Sequence, residues 1–355
     1  MTRTLALVAL AATACSPAPT NDTTPANVAA AAAPQATPPP PVPKPGALKT
    51  FRDWTVGCDN GLTCKMASLG PEDAEFPAVT MSVTRVAGPR GDWKVEFASD
   101  EDDAITIAVD DMRVAAGDDE FTGPTAAAIV AAMANGNALQ VSKAGGAPLA
   151  TLSLAGASAA LRYIDAMQGR AGGVTAAVAK GATPAGAVPA APALPTISAF
   201  APYGAKLAPS AAQVAEMRRV SGCDTEGFTA EQAAETHALG GGKTLVIVPC
   251  SSGAYNLSAA LFTLADAKIA PVITDAPSGF GAADTPGDGA QIVNGGFDDG
   301  LVTSYVKGRG LGDCGVSQKF AWDGTQLRLV EQEEMGECRG NTEMIRTWTA
   351  PVVRK

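Results

Sequence analysis

The stretch Phe51-Arg52-Asp53-Trp54-Thr55-Val56-Gly57-Cys58-Asp59-Asn60-Gly61-Leu62-Thr63-Cys64 sets the character of the fold. Asn60-Gly61 is a strong hairpin-turn dipeptide, and a cysteine on either side is placed to staple the strands it joins. Three alternating runs follow. Val79, Met81 and Val83 alternate with Thr80, Ser82 and Thr84; Trp93, Val95 and Phe97 with Lys94 and Glu96; Ile105, Ile107 and Val109 with Thr106 and Asp110. Period-two alternation over short runs predicts antiparallel strands with one face in the core and one in water. Gly88-Pro89-Arg90-Gly91-Asp92 reads as a connecting turn. Two alanine-rich helices are expected at 124–134 and 157–168, closed by Asn135-Gly136 and by Gly169.

A second Ala/Pro/Gly stretch, 181–196, divides this first unit (47–180) from a second (197–355). The second unit opens with helix signals: Ser210 with Gln213, and Thr229 with Gln232, both fit a capping box. The latter predicts a helix over 229–239. Strands are expected at 244–248, 255–263, 301–307, 316–322 and 325–331, the last two joined by Asp323-Gly324. Strands and helices do not alternate in βαβ order. The expected fold class is therefore α+β: two antiparallel-sheet units with a few helices, stapled by disulfides.

The chain has seven cysteines. Cys15 ends a short apolar run that starts at Leu5 behind Arg3, which predicts a secretory signal over 1–14 and lipidation of the Cys15 thiol. That run is well below the ~20 apolar residues a membrane-spanning helix needs. The other six, Cys58, Cys64, Cys223, Cys250, Cys314 and Cys338, are an even number in a chain expected to meet an oxidising compartment, so disulfides are expected. Other connectivities remain open from sequence, but spacing favours neighbours: Cys58–Cys64, Cys223–Cys250 and Cys314–Cys338. In the chain-entropy picture the two longer loops contribute ~3–4 kcal/mol each and the short one ~2 kcal/mol. No C-x-x-C pair is present, and structural zinc is not expected. Residues 15–46 are rich in proline and alanine with few charges, a composition that stays extended and reaches up to ~100 Å at ~3.1 Å per residue.

Acidic residues outnumber basic ones, 36 to 26, for a net charge of −10 over 355 residues. Phosphate backbones are repelled by such a chain, so nucleic acid is not an expected partner. The expected contacts are the membrane through the N-terminal lipid and another envelope protein. Ser16, following Cys15, points to the outer membrane, with the body facing the periplasm.

Several stretches resemble a six-cysteine proteobacterial family known as domain of unknown function 1176. These are the Trp54/Cys58/Cys64 opening, Arg309-Gly310-Leu311-Gly312-Asp313-Cys314-Gly315, Phe320-Ala321-Trp322-Asp323-Gly324 and Met335-Gly336-Glu337-Cys338-Arg339-Gly340. Their order and spacing fit from about Lys49 to Val353. The first unit is also similar to the invasion-associated locus B family of exported proteins, with a late Leu-x-x-Gly helix start near Leu152 or Leu154 and Gly156. The resemblance implies an envelope location and paired cysteines; it supplies no catalytic residues.

His237 is the single histidine, which excludes multi-histidine metal sites and leaves any Ser-His-Asp triad dependent on one position expected on a helix surface. Cys250-Ser251-Ser252-Gly253 lacks the G-x-S-x-G elbow that exposes a nucleophilic serine. The acidic runs 100–103, 118–120 and 331–337, and Asp275, Asp284 and Asp288, match no calcium-loop pattern. No Walker or dinucleotide fingerprint is present, so no cofactor, metal or catalytic set is expected. The glycine-rich loop with Arg309, Gly310, Gly312, Asp313 and Gly315 is the candidate binding loop, since backbone amides beside a basic residue can cradle an anion. A tight loop whose glycines let Cys314 reach its partner explains the same residues. The expected function is that of a non-enzymatic envelope lipoprotein that binds another envelope component. The alternatives are a small-ligand module at the Arg309 loop, or a hydrolase of cell-wall or saccharide material pairing Asp313 with an acid of 331–337.

Overall fold

The fold is described by a computed structural model that covers residues 42–72, 76–99, 104–117, 119–223, 233–279 and 289–355. The signal segment, Cys15, most of the tether, Asp284, Asp288 and the Thr229/Gln232 capping box lie outside these residues.

The Trp54-containing hairpin forms as its pattern requires. Trp54–Cys58 pairs with Cys64–Ser68, and Cys58 sits directly across from Cys64, to which it is disulfide-bonded. The turn differs from the two-residue Asn-Gly form. Asp59 Oδ1 accepts from the N–H groups of Gly61 and Thr63, and the left-handed residue is Leu62 (φ 59°). An aspartate bridging its own backbone can close a turn as a glycine does, and a longer loop was selected.

Around this hairpin runs a six-stranded antiparallel sheet, in the order Lys49–Phe51, Trp54–Cys58, Cys64–Ser68, Val79–Arg85, Trp93–Ser99 and Glu120–Thr122. A four-stranded sheet of Pro148–Ser153, Ala138–Lys143, Ile105–Val109 and Met112–Gly117 lies beside it in sequence. Helices Gly123–Met133 and Ala157–Met167 share with both sheets a core built on Trp54, Met66, Met81, Ile107, Ile129, Leu139 and Leu161.

The second half holds two five-stranded antiparallel sheets. One contains Glu235–Gly240, Lys243–Ser252, Leu257–Ala265 and Lys268–Pro271, with Gln291–Val293 also on Leu257–Ala265. The other is a meander of Phe297–Asp298, Leu301–Lys307, Gly315–Trp322, Leu327–Met335 and Ile345–Thr349. Leu245, Ile247 and Leu261 of the first share a core with Val302, Phe320, Leu329 and Trp348 of the second. Helix Ala211–Val220 begins at the expected capping box, with Ser210 and Gln213 bonded reciprocally. Its Met217 covers the other face of the first sheet against Val246, Val248 and Phe262. Residues Pro40 to Lys355 cluster as one compact unit. Leu194, in the stretch between the halves, packs on Gly61.

Two expectations are corrected. The fold is mostly β rather than α+β, with 43% strand against 12% helix and three α-helices among the described residues. Strands that the sequence pattern does not announce, among them Met112–Gly117, Ala138–Lys143, Pro148–Ser153 and Ile345–Thr349, supply most of the excess, and the expected helix over 229–239 adds to it. Its described end is instead the strand Glu235–Gly240, in which His237 stands opposite Leu245. Gly240, Gly241 and Gly242 all adopt positive φ and turn it back against Lys243–Ser252. Thr236, His237 and Gly240 in this stretch are weak helix formers, and pairing with the apolar strand Lys243–Ser252 overrides the helix preference of its alanine.

The second correction concerns the water-facing side of the first sheet. Thr55 and Ser82 are 0% exposed and Thr80 is 6% exposed, so the polar face is buried as well. Residues 339–349 cover it. Asn341, itself fully buried, donates its Nδ2 to the carbonyls of Ser68 (2.7 Å) and Met81 (3.4 Å) and accepts the N–H of Glu343 (2.8 Å). Asn60 acts as an extra rung, its amide donating to Thr349 O and accepting Thr349 N–H. Arg346 meets Asp59 at 3.0 Å and Lys65 meets Glu343 at 2.9 Å. Ile345 approaches so closely that a Cβ on Gly57 would lie 3.2 Å from its Cγ2.

Asn341→Ala strips a buried carbonyl and a buried N–H of their partners, and should cost about 2–3 kcal/mol of stability. Urea unfolding followed by tryptophan fluorescence measures it, and a loss below about 0.5 kcal/mol would show that the cover contributes little.

Candidate functional site

The Arg309 loop joins Leu301–Lys307 to Gly315–Trp322, and its composition is explained by a disulfide it must accommodate. A Cβ on Gly308 would stand 2.7 Å from Cys314 Sγ and 3.3 Å from Cys338 Sγ. Gly315 has φ +139°, and a Cβ there would meet Val306 O at 2.0 Å. Cys314 is bonded to Cys338, and Cys223 to Cys250. Within the loop Arg309 grips Asp313 through two bonds, Nε to Oδ1 at 2.7 Å and Nη2 to Oδ2 at 2.6 Å. Asp313 Oδ2 also accepts the N–H of Gly340 at 2.7 Å. Burial pushes this carboxyl up, but Arg309 and the Gly340 N–H outweigh it and hold it below the ordinary carboxylate range. Both oxygens are therefore engaged and ionised, the state of an anchor rather than of a proton donor. Gly310 and Leu311 face outward at the tip, with Tyr255 beside Gly310.

The acidic run 331–337 offers half-buried carboxyls. Burial raises Glu333, with the charge of Glu331 adding to it, and burial alone raises Glu334. Glu331 itself is bonded to Lys319 at 2.7 Å. His237 stacks on Phe297, ring centroids 4.9 Å apart, with Glu235 3.4 Å from its Nε2. Ser251 Oγ lies 2.6 Å from Ser258 Oγ on the neighbouring strand, and Asp275 is taken by Arg328.

Arg339, one residue beyond Cys338, was not singled out in the sequence, yet it is the most heavily bonded residue of the seam between the halves. Its guanidinium donates to Gly70 O (2.6 Å), Arg52 O (3.1 Å) and Asp53 Oδ1 (2.9 Å), while Gly70 N–H donates to Arg339 O. Burial pushes Asp53 up, and hydrogen bonds from Ser153 and Arg339 bring it below the usual range. Arg339 and Asp53 form one wall of a cleft of about 330 Å³, closed elsewhere by Leu69, Pro77 and Leu152. Such a volume lies at the small end of ligand-binding clefts. The signal that could have found Arg339 is its place in the Met335–Gly340 motif that carried the family resemblance. Among the described residues no group of three or more His, Cys, Asp or Glu is arranged to hold a metal ion.

These features define a class: a disulfide-stapled, mostly β protein whose halves are locked together by arginine–carboxylate anchors. Within that class the chain belongs to the family described as Protein of unknown function (DUF1176), matched over residues 48–355. It is 28% identical over 325 residues to Uncharacterized protein YpfG of Escherichia coli (strain K12), covering 82% of this chain and 89% of that protein. The crystal structure of invasion associated protein B from Bartonella henselae aligns with 35% of this chain and 99% of its own, at a TM-score of 0.28 and 21% identity.

Asp313→Asn should lower stability by about 1–3 kcal/mol at pH 7, through loss of the charge-assisted grip on Arg309. Because the folded carboxyl titrates below its unfolded value of about 3.9, its contribution is present above that pH and lost as pH falls through the folded value. The gap between wild type and variant should therefore narrow towards pH 2–3 (approximate bounds), and urea midpoints at both pH values measure it. Glu334→Gln should act oppositely. A raised carboxyl costs stability as pH rises through its folded value, so the variant should gain on wild type between acid and neutral pH.

Proposed function

We propose that this chain is an exported envelope lipoprotein that works by binding another envelope component and performs no chemistry of its own. The single observation that carries this is the state of the cysteines: six thiols in three disulfides, in a chain with a leader-like run ending at Cys15. Disulfides of this density suit an oxidising compartment and are rare where thiols are kept reduced. A lipid on Cys15 would hold the N-terminus at the bilayer, Ser16 favouring the outer membrane, and the proline-rich stretch would space the body from it on the periplasmic side. No described helix is long and apolar enough to cross a membrane, so attachment in this proposal rests on the lipid.

Binding rather than catalysis is favoured by how the charged groups are used. Asp313, Asp53 and Asp275 each hold an arginine, and Glu331, Glu333 and Glu334 lie along one strand. Two surfaces suit a protein partner: the Arg339 cleft, and the tip where Leu311 and Tyr255, each 42% exposed, flank Gly310.

Cell fractionation tests the anchor. Wild type should pellet with membranes and Cys15→Ser should be soluble, and a variant that stays in the pellet would remove the lipid from the proposal. Alkylation of the native protein before and after reduction should find no free thiol among the six and then all of them; six reactive thiols without reductant would refute export. Affinity capture from envelope extracts at moderate salt should recover the same partner repeatedly, and failure to recover one would count against a binding role.

A further inference from the structure

A second cleft, of about 300 Å³, lies beneath the turn formed by residues 86–92 and beside the start of helix Gly123–Met133. Its composition is unusual for an acidic protein. Arg85 and Arg170 form its floor, Arg90 and Lys180 stand exposed at its mouth, and Trp93, Val130 and Ala177 give it an apolar wall. Neither Arg90 nor Lys180 makes an ion pair among the described residues. The negative groups facing this set are Asp92, on the wall, and Asp165, behind Arg85. Four cations against two carboxylates leave an excess of two positive charges here, in a chain whose net charge is −10.

The two floor arginines differ in how they are bonded. Arg170, 1% exposed, is committed to structure: Nε donates to Gln168 Oε1 (2.8 Å), Nη1 to Thr175 Oγ1 (3.3 Å), and Nη2 to Val86 O (3.4 Å) and Gly88 O. It thereby fixes the 86–92 turn. Gly91 is required beneath it, because a Cβ there would lie 2.6 Å from Arg170 Nη2 and 1.8 Å from Val86 O. Arg85 is only partly committed. Its side chain is 5% exposed and its guanidinium carbon lies over Trp93, 4.3 Å from the ring centroid, with Nη1 on Asp165 (3.2 Å) and Nη2 on Thr175 O (2.7 Å). Its Nε–H is buried with no acceptor. Burial, with Arg170 close by, lowers its pKa to about 10, so it stays charged at neutral pH. A charged guanidinium on the floor of an apolar-walled cleft favours an anion there.

An apolar ligand would leave the excess positive charge unanswered, and a cation would be repelled. A dianion is disfavoured by Asp92 on the wall. The start of helix Gly123–Met133, with no acidic residue in its first turn and no side-chain cap, adds positive potential at the same cleft. We propose that this cleft binds a small monoanionic oxyanion with a short apolar body, an aliphatic carboxylate, held by Arg85 with Arg90 and Lys180 at the mouth. Arg170 is a positioning residue that shapes the turn. The assignment does not depend on where the protein resides or on its partner.

Butyrate, its neutral isostere butyramide and inorganic phosphate, titrated into the full chain by calorimetry and by tryptophan fluorescence, test it. Butyrate should bind and shift the emission of Trp93 beneath Arg85, while butyramide should not bind. The exposed double variant Arg90→Ala/Lys180→Ala should keep the wild-type melting temperature and bind butyrate about tenfold more weakly. Arg85→Lys should abolish the fluorescence response. Equal binding of butyramide, tighter binding of phosphate than of butyrate, no binding of butyrate, or an unchanged affinity in the double variant would each overturn the proposal.

Discussion

A sheet with two buried faces must be covered on both, and in this protein the second face is covered by a segment more than two hundred residues away. The strands around Trp54 place Trp54, Val56, Met66, Met81 and Val83 in an ordinary core, and leave Thr55, Thr80 and Ser82 on the reverse side. Asn341 is inserted there with its amide donating to Ser68 O and its oxygen taken by Glu343 N–H. Everything that fixes Asn341 therefore fixes the relation of the two halves. The Cys314–Cys338 disulfide, the Arg309–Asp313 pair and the Asp313–Gly340 bond all bear on residues 338–341. Arg339 fastens the same segment to Arg52, Asp53 and Gly70. The cover meets backbone carbonyls of Ser68 and Met81 through Asn341, while the hydroxyls of Thr55 and Ser82 are buried without a hydrogen-bond partner, a cost the apolar contact must offset.

Arginine is the recurrent device. Arg85, Arg170, Arg328 and Arg339 each lie at or near the interior and each spread planar donors over carbonyls or carboxylates. The guanidinium offers five N–H donors in a fixed fork and retains its charge when desolvated, so it can tie several backbone segments at one point. Lysines instead sit at the edges, as Lys94 does between Glu96 and Glu120, or at the mouth of a cleft, as Lys180 does. The buried charges balance, Arg85, Arg170 and Arg328 against Asp59, Asp165 and Asp313, so the net negative charge of this chain lies outside its interior.

Local signals in the sequence were read well where local physics decides. The expected helices at 124–134 and 157–168 are found as Gly123–Met133 and Ala157–Met167, and the Ser210/Gln213 capping box starts a helix. Strand Leu301–Lys307 has the expected bounds, Gly315–Trp322 starts one residue before its expected start, and Leu327–Met335 begins two residues later and ends four later than expected. The glycines of the 309–315 loop were recognised as constrained, and Gly312 and Gly315 do adopt positive φ. Over 229–239 capping residues and alanines predict a helix, and the described part is the edge strand Glu235–Gly240. At the sites, Asp313 was visible beside its loop. Arg339, Asp53, Arg85 and Arg170 were not, because the first two are 286 residues apart and the last two are 85 apart.

By itself, the amino-acid order determined the strand-rich character near Trp54, the helix starts, the even set of thiols and the acidic balance. These depend on periodicity, capping and composition, which act over a few residues or over the chain as a whole. Only the tertiary structure decided that Thr80 and Ser82 lie in an interior, that His237 lies on a strand, and that Arg85 and Arg170 line one cleft. Those outcomes depend on which distant surface covers each group, and burial makes that choice only once the whole chain has closed.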